Sequence, residues 1–271
     1  MEHSPLLAGT TWSCPGQTLL EALETLEQAG LFDVEVWADG MHLDPRVDPE
    51  PDRVARWLAS RPLQVRSVHL PFDAVLPGGT ADQRTEEWVR LCARTLDFAQ
   101  RLGATVAVAH PVLFSDEDDG HARTIDRFVP AVQAIADDAT SRGMRLAVEN
   151  MHTMRGATLR TVREIRGALA NVTGPVGICL DLGHAVFNGC DLRDEITAAT
   201  GLLINAHVHD SDGTGRDPHL PPGDGIVDWP AAMHAFQAIN YSGRYVLEVR
   251  GGDDPLGTLR RSRERLLSFM S

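Results

Sequence analysis

The sequence predicts one (β/α)8 barrel, an α/β fold, spanning residues 1–271 as a single domain. Three observations point there. The chain has 271 residues, close to the roughly 250 that such a barrel uses. Short β-branched or apolar runs alternate with longer stretches of helical period. The pair repeats eight times, and eight strand–helix units in strict order imply a parallel sheet with right-handed crossovers that closes on itself.

The first run, Leu6–Trp12, precedes a helical stretch over Thr18–Ala29. There Leu19, Leu20, Leu23, Leu26 and Leu31 keep an apolar stripe while Glu21, Glu24, Glu27 and Gln28 face water, and Gly30 is a stop signal. Phe32–Trp37 leads to a helix over Asp52–Ser60, and Val65–Leu70 to one over Asp82–Leu102 that Gly103 ends. Thr105–His110 pairs with His121–Ser141, Arg145–Asn150 with Thr158–Ala170, and Val176–Asp181 with Leu192–Thr200. Leu203–His209 and Trp229–Ile239, then Arg244–Arg250 and Pro255–Phe269, complete the set. A doubly wound open sheet would carry a G-x-G-x-x-G turn after the first strand, and Thr10-Thr11-Trp12-Ser13-Cys14-Pro15-Gly16 is not one.

Composition narrows the function classes. No run of 18 apolar residues exists, so no membrane helix is expected. Met1–Thr10 lacks a signal-peptide pattern, and a cytoplasmic protein is expected. Cys14, Cys92, Cys179 and Cys190 form no C-x-x-C pair and read as scattered reduced thiols. The longest charge block is Asp116 to Asp119. The net charge of −13 argues against a nucleic-acid partner. All 25 basic residues are arginine, which excludes Schiff-base lysine chemistry and a P-loop lysine.

In this fold the active site is built where strands end. The third run carries His69, the fourth ends at His110, the fifth at Glu149-Asn150, and the sixth runs into Asp181-Leu182-Gly183-His184. The seventh carries His207 and His209, the eighth Glu248, and a following loop reads Arg216-Asp217-Pro218-His219. Imidazoles and carboxylates without thiolates are what a divalent ion such as zinc, manganese, iron or cobalt takes. Burying Glu149, Asp181 and Glu248 beside Val148, Leu180 and Val249 would be costly without a counter-charge, which a cation supplies. The alternative is a ring of carboxylate–histidine and carboxylate–arginine pairs. His209, two residues after His207, shares its face or lies just past the strand end, as an extra ligand or a partner to one. His3, His42, His121, His152 and His234 receive no role.

These strand-end residues resemble the xylose-isomerase-like barrel superfamily, which holds sugar isomerases and epimerases and the metal-dependent apurinic endonucleases. The resemblance runs from about Leu6 to Glu248. Its most specific piece is Asp217-Pro218-His219-Leu220-Pro221-Pro222-Gly223-Asp224-Gly225-Ile226-Val227-Asp228-Trp229, similar to the D-x-H-x-P-x-G-x-G-x-x-D-W/F loop of many members. The resemblance implies a central metal on Glu149, Asp181, His207 and Glu248. It also implies outer ligands for up to two further ions on His69, His110, His184, Asp217 and His219, with Glu149 bridging. All nine positions are filled, whereas the simplest epimerases keep only the central four.

Two chemistries follow. In the first, the chain isomerises or epimerises a ketose-like sugar through a metal-stabilised enediolate. Glu149 and Glu248 are its acid and base, His184 and Arg216 bind substrate oxygens, and Trp12, Phe72, Trp37 and Trp229 either wall the pocket or pack in the core, which explains each of them equally well. In the second, two or three ions hydrolyse a phosphoester, as in the endonuclease branch. The charge balance and the missing lysines oppose DNA as its substrate. A non-catalytic sugar-binding barrel is a third class, and it would be expected to have lost ligands. Gly251-Gly252 reads as a plain turn before it reads as an anion cradle.

Overall fold

The computed structural model describes residues 6–47, 49–72, 79–111, 121–152 and 159–271, with backbone alone at 121–124. The block Asp116 to Asp119 lies outside the described residues. The eight strands are β1 (Leu7–Thr10), β2 (Asp33–Trp37), β3 (Gln64–His69), β4 (Val106–Ala109), β5 (Arg145–Glu149), β6 (Val176–Asp181), β7 (Leu203–Val208) and β8 (Arg244–Leu247). Each pairs in parallel with the next, and β1 pairs with β8 through Leu7↔Tyr245, Ala8↔Val246 and Gly9↔Leu247, closing the ring.

The helices are α1 (Leu19–Gln28), α2 (Pro51–Leu58), α3 (Ala81–Leu102), α4 (His121–Ser141), α5 (Val162–Leu169), α6 (Leu182–Phe187), α7 (Leu192–Ala198), α8 (Trp229–Ala238) and α9 (Pro255–Met270). Reciprocal capping boxes start α1 (Thr18 with Glu21), α3 (Thr80 with Gln83) and α5 (Thr161 with Glu164). The α5 box explains why that helix begins at Val162 and not at residue 158. Gly103 ends α3 at φ +83°, a left-handed turn that favours glycine. The six-residue α6 is not expected from periodicity. It starts because the Asp181 side chain accepts the backbone N–H of His184 at 2.6 Å.

Two apolar zones hold the barrel. The larger lies between helices and sheet and buries Leu23, Leu26, Trp88, Leu96, Phe128, Ile135, Trp229 and Phe236. The smaller fills the inside of the ring with Val106, Val108, Ala147, Cys179 and Ile204. The period of two along each strand stacks layers above it. Ala147 lies below Glu149, Cys179 below Asp181, Asn205 below His207 and Ser67 below His69; Glu35 pairs with Ser67, and Asp181 with His207. The interior therefore runs from apolar, through a polar layer, to ionisable groups at the mouth.

The ladders stop short of the predicted runs at several mouth-side ends. The last β7–β8 pair is Val208↔Leu247, so His209 and Glu248 sit past the ladder. Beyond β1 the chain tightens into a 3-10 turn over Thr11–Ser13, capped by Thr10. Cys14, Cys92 and Cys179 are buried and Cys190 is half-buried, all unpaired. Among the described residues, no helix is long and apolar enough to cross a membrane.

Candidate metal centre

Glu149, Asp181, His207 and Glu248 come from β5, β6, β7 and the end of β8, and all four are buried. His207 Nδ1 lies 2.9 Å from Glu248 Oε2, 3.4 Å from Glu149 Oε2 and 4.0 Å from Asp181 Oδ2. One donor atom from each of the four falls within 4.8 Å of the others. Glu149 Oε1, Glu248 Oε2 and His207 Nδ1 are buried without a hydrogen-bond partner. Such orphans are expensive in a protein interior unless a cation satisfies them. Among the described residues no arginine pairs with these carboxylates, so the carboxylate–arginine ring is not what compensates them. The donor set of three carboxylates and one imidazole fits a borderline or hard divalent ion.

Among the described residues three further groups adjoin this one: Cys179 with Glu149 and His207, which shares two of its donors, and two that flank it. His69 Nε2 and His110 Nε2 approach Glu149 Oε2 at 3.3 and 3.4 Å. On the other side, Asp217 Oδ2 lies 2.9 Å from His219 Nε2 and 3.4 Å from His184 Nε2. His209 joins this second group and also donates from Nε2 to Asp181 Oδ2 at 3.0 Å. The structure thus gathers all nine strand-end and loop donors named from the sequence into three adjoining groups. It adds His209 to one of them and brings His152 Nε2 to 3.6 Å from Asp217.

The histidines are aimed by the backbone. His69 Nδ1 donates to Leu70 O (3.0 Å), His184 Nδ1 to Asn150 O (2.9 Å) and His219 Nδ1 to Glu248 O (2.8 Å), which leaves each Nε2 facing its group. Asn150 locks β5 to β6, accepting from Asp181 N at 2.7 Å and donating to Asp181 O at 3.0 Å. The loop bearing Asp217 and His219 is organised by Asp210. Its Oδ1 accepts from Ser211 N (2.9 Å) and Val227 N (3.0 Å), and its Oδ2 from Gly223 N and Trp229 Nε1 (both 2.8 Å). Gly225 is required there, because a Cβ would fall 2.3 Å from both Asp210 Oδ1 and Ser211 O.

Charge is shared accordingly. Burial opposes a charged His184, but Asp181, Asp217 and Glu149 outweigh it and push its pKa up to about 10. His69 is likewise raised against its burial by Glu149, Glu35 and Glu248, and His207 by the Cys179 sulfur and then Glu248, Glu149 and Glu35. Burial dominates at His110, which is lowered. Burial works against ionised Glu149, Asp181 and Glu248 as well, yet neighbouring histidines hold all three below the usual range, Glu248 at about 2.

The predicted pocket walls divide. Phe72 packs on His110 with ring centroids 4.4 Å apart, and Trp12 on His219 at 4.5 Å. Trp229 is instead a core residue whose indole N–H serves Asp210, and Trp37 packs edge-on against His42. Arg216 is not drawn into the site. Its side chain is 77% exposed and turns to its own loop, 3.6 Å from Asp212 Oδ2 and 3.3 Å from Thr214 Oγ1; the nearby carboxylate and hydroxyl hold it there. Glu35 escaped the strand-end reading altogether. It is mid-strand in β2, fully buried, with Oε1 2.9 Å from His207 Nε2.

The chain is 25% identical over 266 residues to the uncharacterized protein y4fM of Sinorhizobium fredii, covering 86% of this chain and 83% of that one. It is 22% identical over 275 residues to L-ribulose-5-phosphate 3-epimerase UlaE of Escherichia coli (strain SMS-3-5), covering 94% and 91%. Among solved structures, a D-tagatose 3-epimerase-like protein superposes with a TM-score of 0.85 at 19% identity over 97% of this chain and 96% of that one. The IolI protein with a bound zinc atom superposes with a TM-score of 0.82 at 18% identity over 98% of each. The xylose isomerase-like TIM barrel family matches residues 23–269, and the chain belongs to that family.

Proposed function

We propose that this chain is a divalent-metal-dependent epimerase or isomerase of a ketose-like sugar. The observation that carries the reading is the presence of two buried glutamates, Glu149 and Glu248, at one centre, each with an oxygen lacking a hydrogen-bond partner. The epimerase named among the relatives and the bound zinc in the IolI structure support the same chemistry. Glu149, Asp181, His207 and Glu248 would hold the ion. A bound divalent cation supplies positive charge beside adjacent carbonyl and hydroxyl oxygens, which acidifies the proton on the carbon they flank. Glu149 and Glu248, on strands three apart in the ring, take that proton from the substrate and return one to it. The surrounding imidazoles keep both ionised, which suits the one that takes the proton; the one that returns a proton must first receive it, and a neighbouring charged imidazole is the group that can supply it. His184 binds a substrate oxygen, while Trp12 and Phe72 line the mouth and keep water from the reacting carbon.

Phosphoester hydrolysis is the second reading, favoured by the two flanking groups beside the central one. One experiment separates them: metal counted per purified chain, with turnover of a ketose panel and cleavage of an abasic-site oligonucleotide measured on the same sample. Epimerised ketose without strand cleavage is the expected result. Strand cleavage by a two- or three-metal protein, with no ketose turned over, would sink the epimerase reading.

A further inference from the structure

We infer that Glu35 is a positioning residue that sets how His207 presents itself to the central metal group; the inference rests on the proposed metal-dependent reading. Glu35 stands in the polar layer inside the ring, fully buried. Its Oε2 accepts from Ser67 Oγ at 2.6 Å and from Asn205 Nδ2 at 2.9 Å, so β3 and β7 fix the carboxylate. Oε1 makes no hydrogen bond, and neither does His207 Nε2, yet the two atoms are 2.9 Å apart. His207 Nδ1 and Glu248 Oε2 stand at the same 2.9 Å, but both belong to the central group of candidate ligands, where an ion would satisfy them together. Glu35 belongs to no such group, so the buried contact of its Oε1 with Nε2 is best explained as one hydrogen bond.

The geometry of His207 gives that bond its purpose. Nδ1 faces Glu248 and Glu149 while Nε2 faces down the barrel to Glu35. A proton kept on Nε2 by the carboxylate leaves the Nδ1 lone pair free for an ion and stops the ring from rotating. His69, His184 and His219 are aimed through backbone carbonyls bonded to Nδ1. His207 presents its opposite nitrogen and has a carboxylate in the equivalent place. The carboxylate partner also raises the basicity of the ligand.

Glu35→Gln tests this. Glutamine keeps the volume and can still satisfy Ser67, but it withdraws the charge that holds the Nε2 proton. Metal affinity is read by competition with a chromophoric chelator using Co2+ and Zn2+, alongside the Co2+ absorption spectrum and melting of the metal-free chain. The variant should fold with a metal-free melting temperature near that of the parent, bind metal about 10- to 100-fold more weakly and show a shifted Co2+ spectrum. Unchanged affinity and spectrum in a folded Glu35→Gln protein would overturn the inference and leave the metal reading intact. Failure of the unaltered chain to bind either ion would overturn that reading itself. Should Glu35→Gln not fold, Ser67→Ala combined with Asn205→Ala decides, since the pair keeps the carboxylate and removes both of its anchors. Weakened metal binding there supports the positioning role, and unchanged binding refutes it.

Discussion

The ring of His209 stacks on that of His219 with centroids 3.8 Å apart and planes 19° from parallel. One residue follows β7 and the other lies ten positions on, in the loop that Asp210 folds back. The stack joins the central and outer donor groups, because His209 bonds Asp181 while His219 faces Asp217.

Room for that stack depends on Gly183. A Cβ at this position would lie 2.0 Å from His209 Cε1 and 2.4 Å from Nδ1. Gly183→Ala should therefore push His209 off Asp181 or shift the start of α6. A loss of about 1–3 kcal/mol is expected from overpacking, with weaker metal retention. Denaturant unfolding with and without added metal checks this, and a variant as stable and as metal-retentive as the parent would contradict the packing argument.

Much of the architecture was legible because periodicity reports it directly. Val176–Asp181 and His121–Ser141 coincide with β6 and α4. The nine donors were legible because a barrel delivers every strand's C-terminal end to one mouth, so residue type at those ends suffices. Glu35 was not, since a lone acid between Val34 and Val36 reads as half of an ordinary in–out alternation, and only ring closure brings it to His207 from 172 positions away in the sequence numbering (207 less 35). The position of Arg216 is not legible in the sequence: its loop brings Asp217 and His219 to the mouth, while its own exposed side chain lies 3.6 Å from Asp212 Oδ2, four residues earlier. A six-residue helix such as α6 is too short to show a stripe.

The two catalytic readings separate under mutation. For an epimerase, Glu149→Gln and Glu248→Gln should each lower kcat by about 10²–10⁴-fold, the range of a lost acid–base group, and should also lower the stability of the metal-free chain, because each leaves buried histidines without a carboxylate partner. His219→Ala should act mainly on KM. For a hydrolase, His69→Ala and His219→Ala should cost as much as the glutamates. Steady-state kinetics on whichever substrate is turned over decides, and full activity in both glutamate variants would remove them from the chemistry.

Metal and protons should compete at this centre. His184 is raised from 6.5 to about 10, because Asp181, Asp217 and Glu149 outweigh the burial that opposes its charge. A raised folded-state pKa gives stability that is complete below 6.5 and lost as pH climbs to about 10. Glu248, lowered from 4.5 to about 2 by His207 and His219 against its burial, adds stability that is complete above 4.5 and lost as pH falls through 2. The metal-free chain should therefore melt highest between about pH 4.5 and 6.5. Ion binding needs neutral imidazoles, so at pH 7 it should release protons and abolish the alkaline decline. Calorimetric titration in buffers of differing ionisation enthalpy measures the release, and buffer-independent heats would contradict it.

Asp210 offers the sharpest test of how the outer group is built, since its carboxylate bonds only loop N–H groups and the Trp229 indole, while its backbone carbonyl alone meets His209 Nδ1, at 3.3 Å. Each of its oxygens accepts two donors: Ser211 N and Val227 N on Oδ1, Gly223 N and Trp229 Nε1 on Oδ2. Asn cannot replace it in either amide orientation, because its NH2 would face two N–H groups whichever way it turned. Two donors would be left buried and unmet, at about 1–3 kcal/mol each. Asp210→Asn should lower stability by that order, change the fluorescence of Trp229 and loosen the loop that holds Asp217 and His219 at the mouth. Because Glu149, Asp181 and His207 stand on strands, and Glu248 one residue past β8, and none is on this loop, the variant should keep its central ion while losing any ion bound at the outer group. Metal counting on the folded variant reads this directly, and loss of the central ion with the outer one would mean that the groups form one cooperative cluster and not a core with an appended loop.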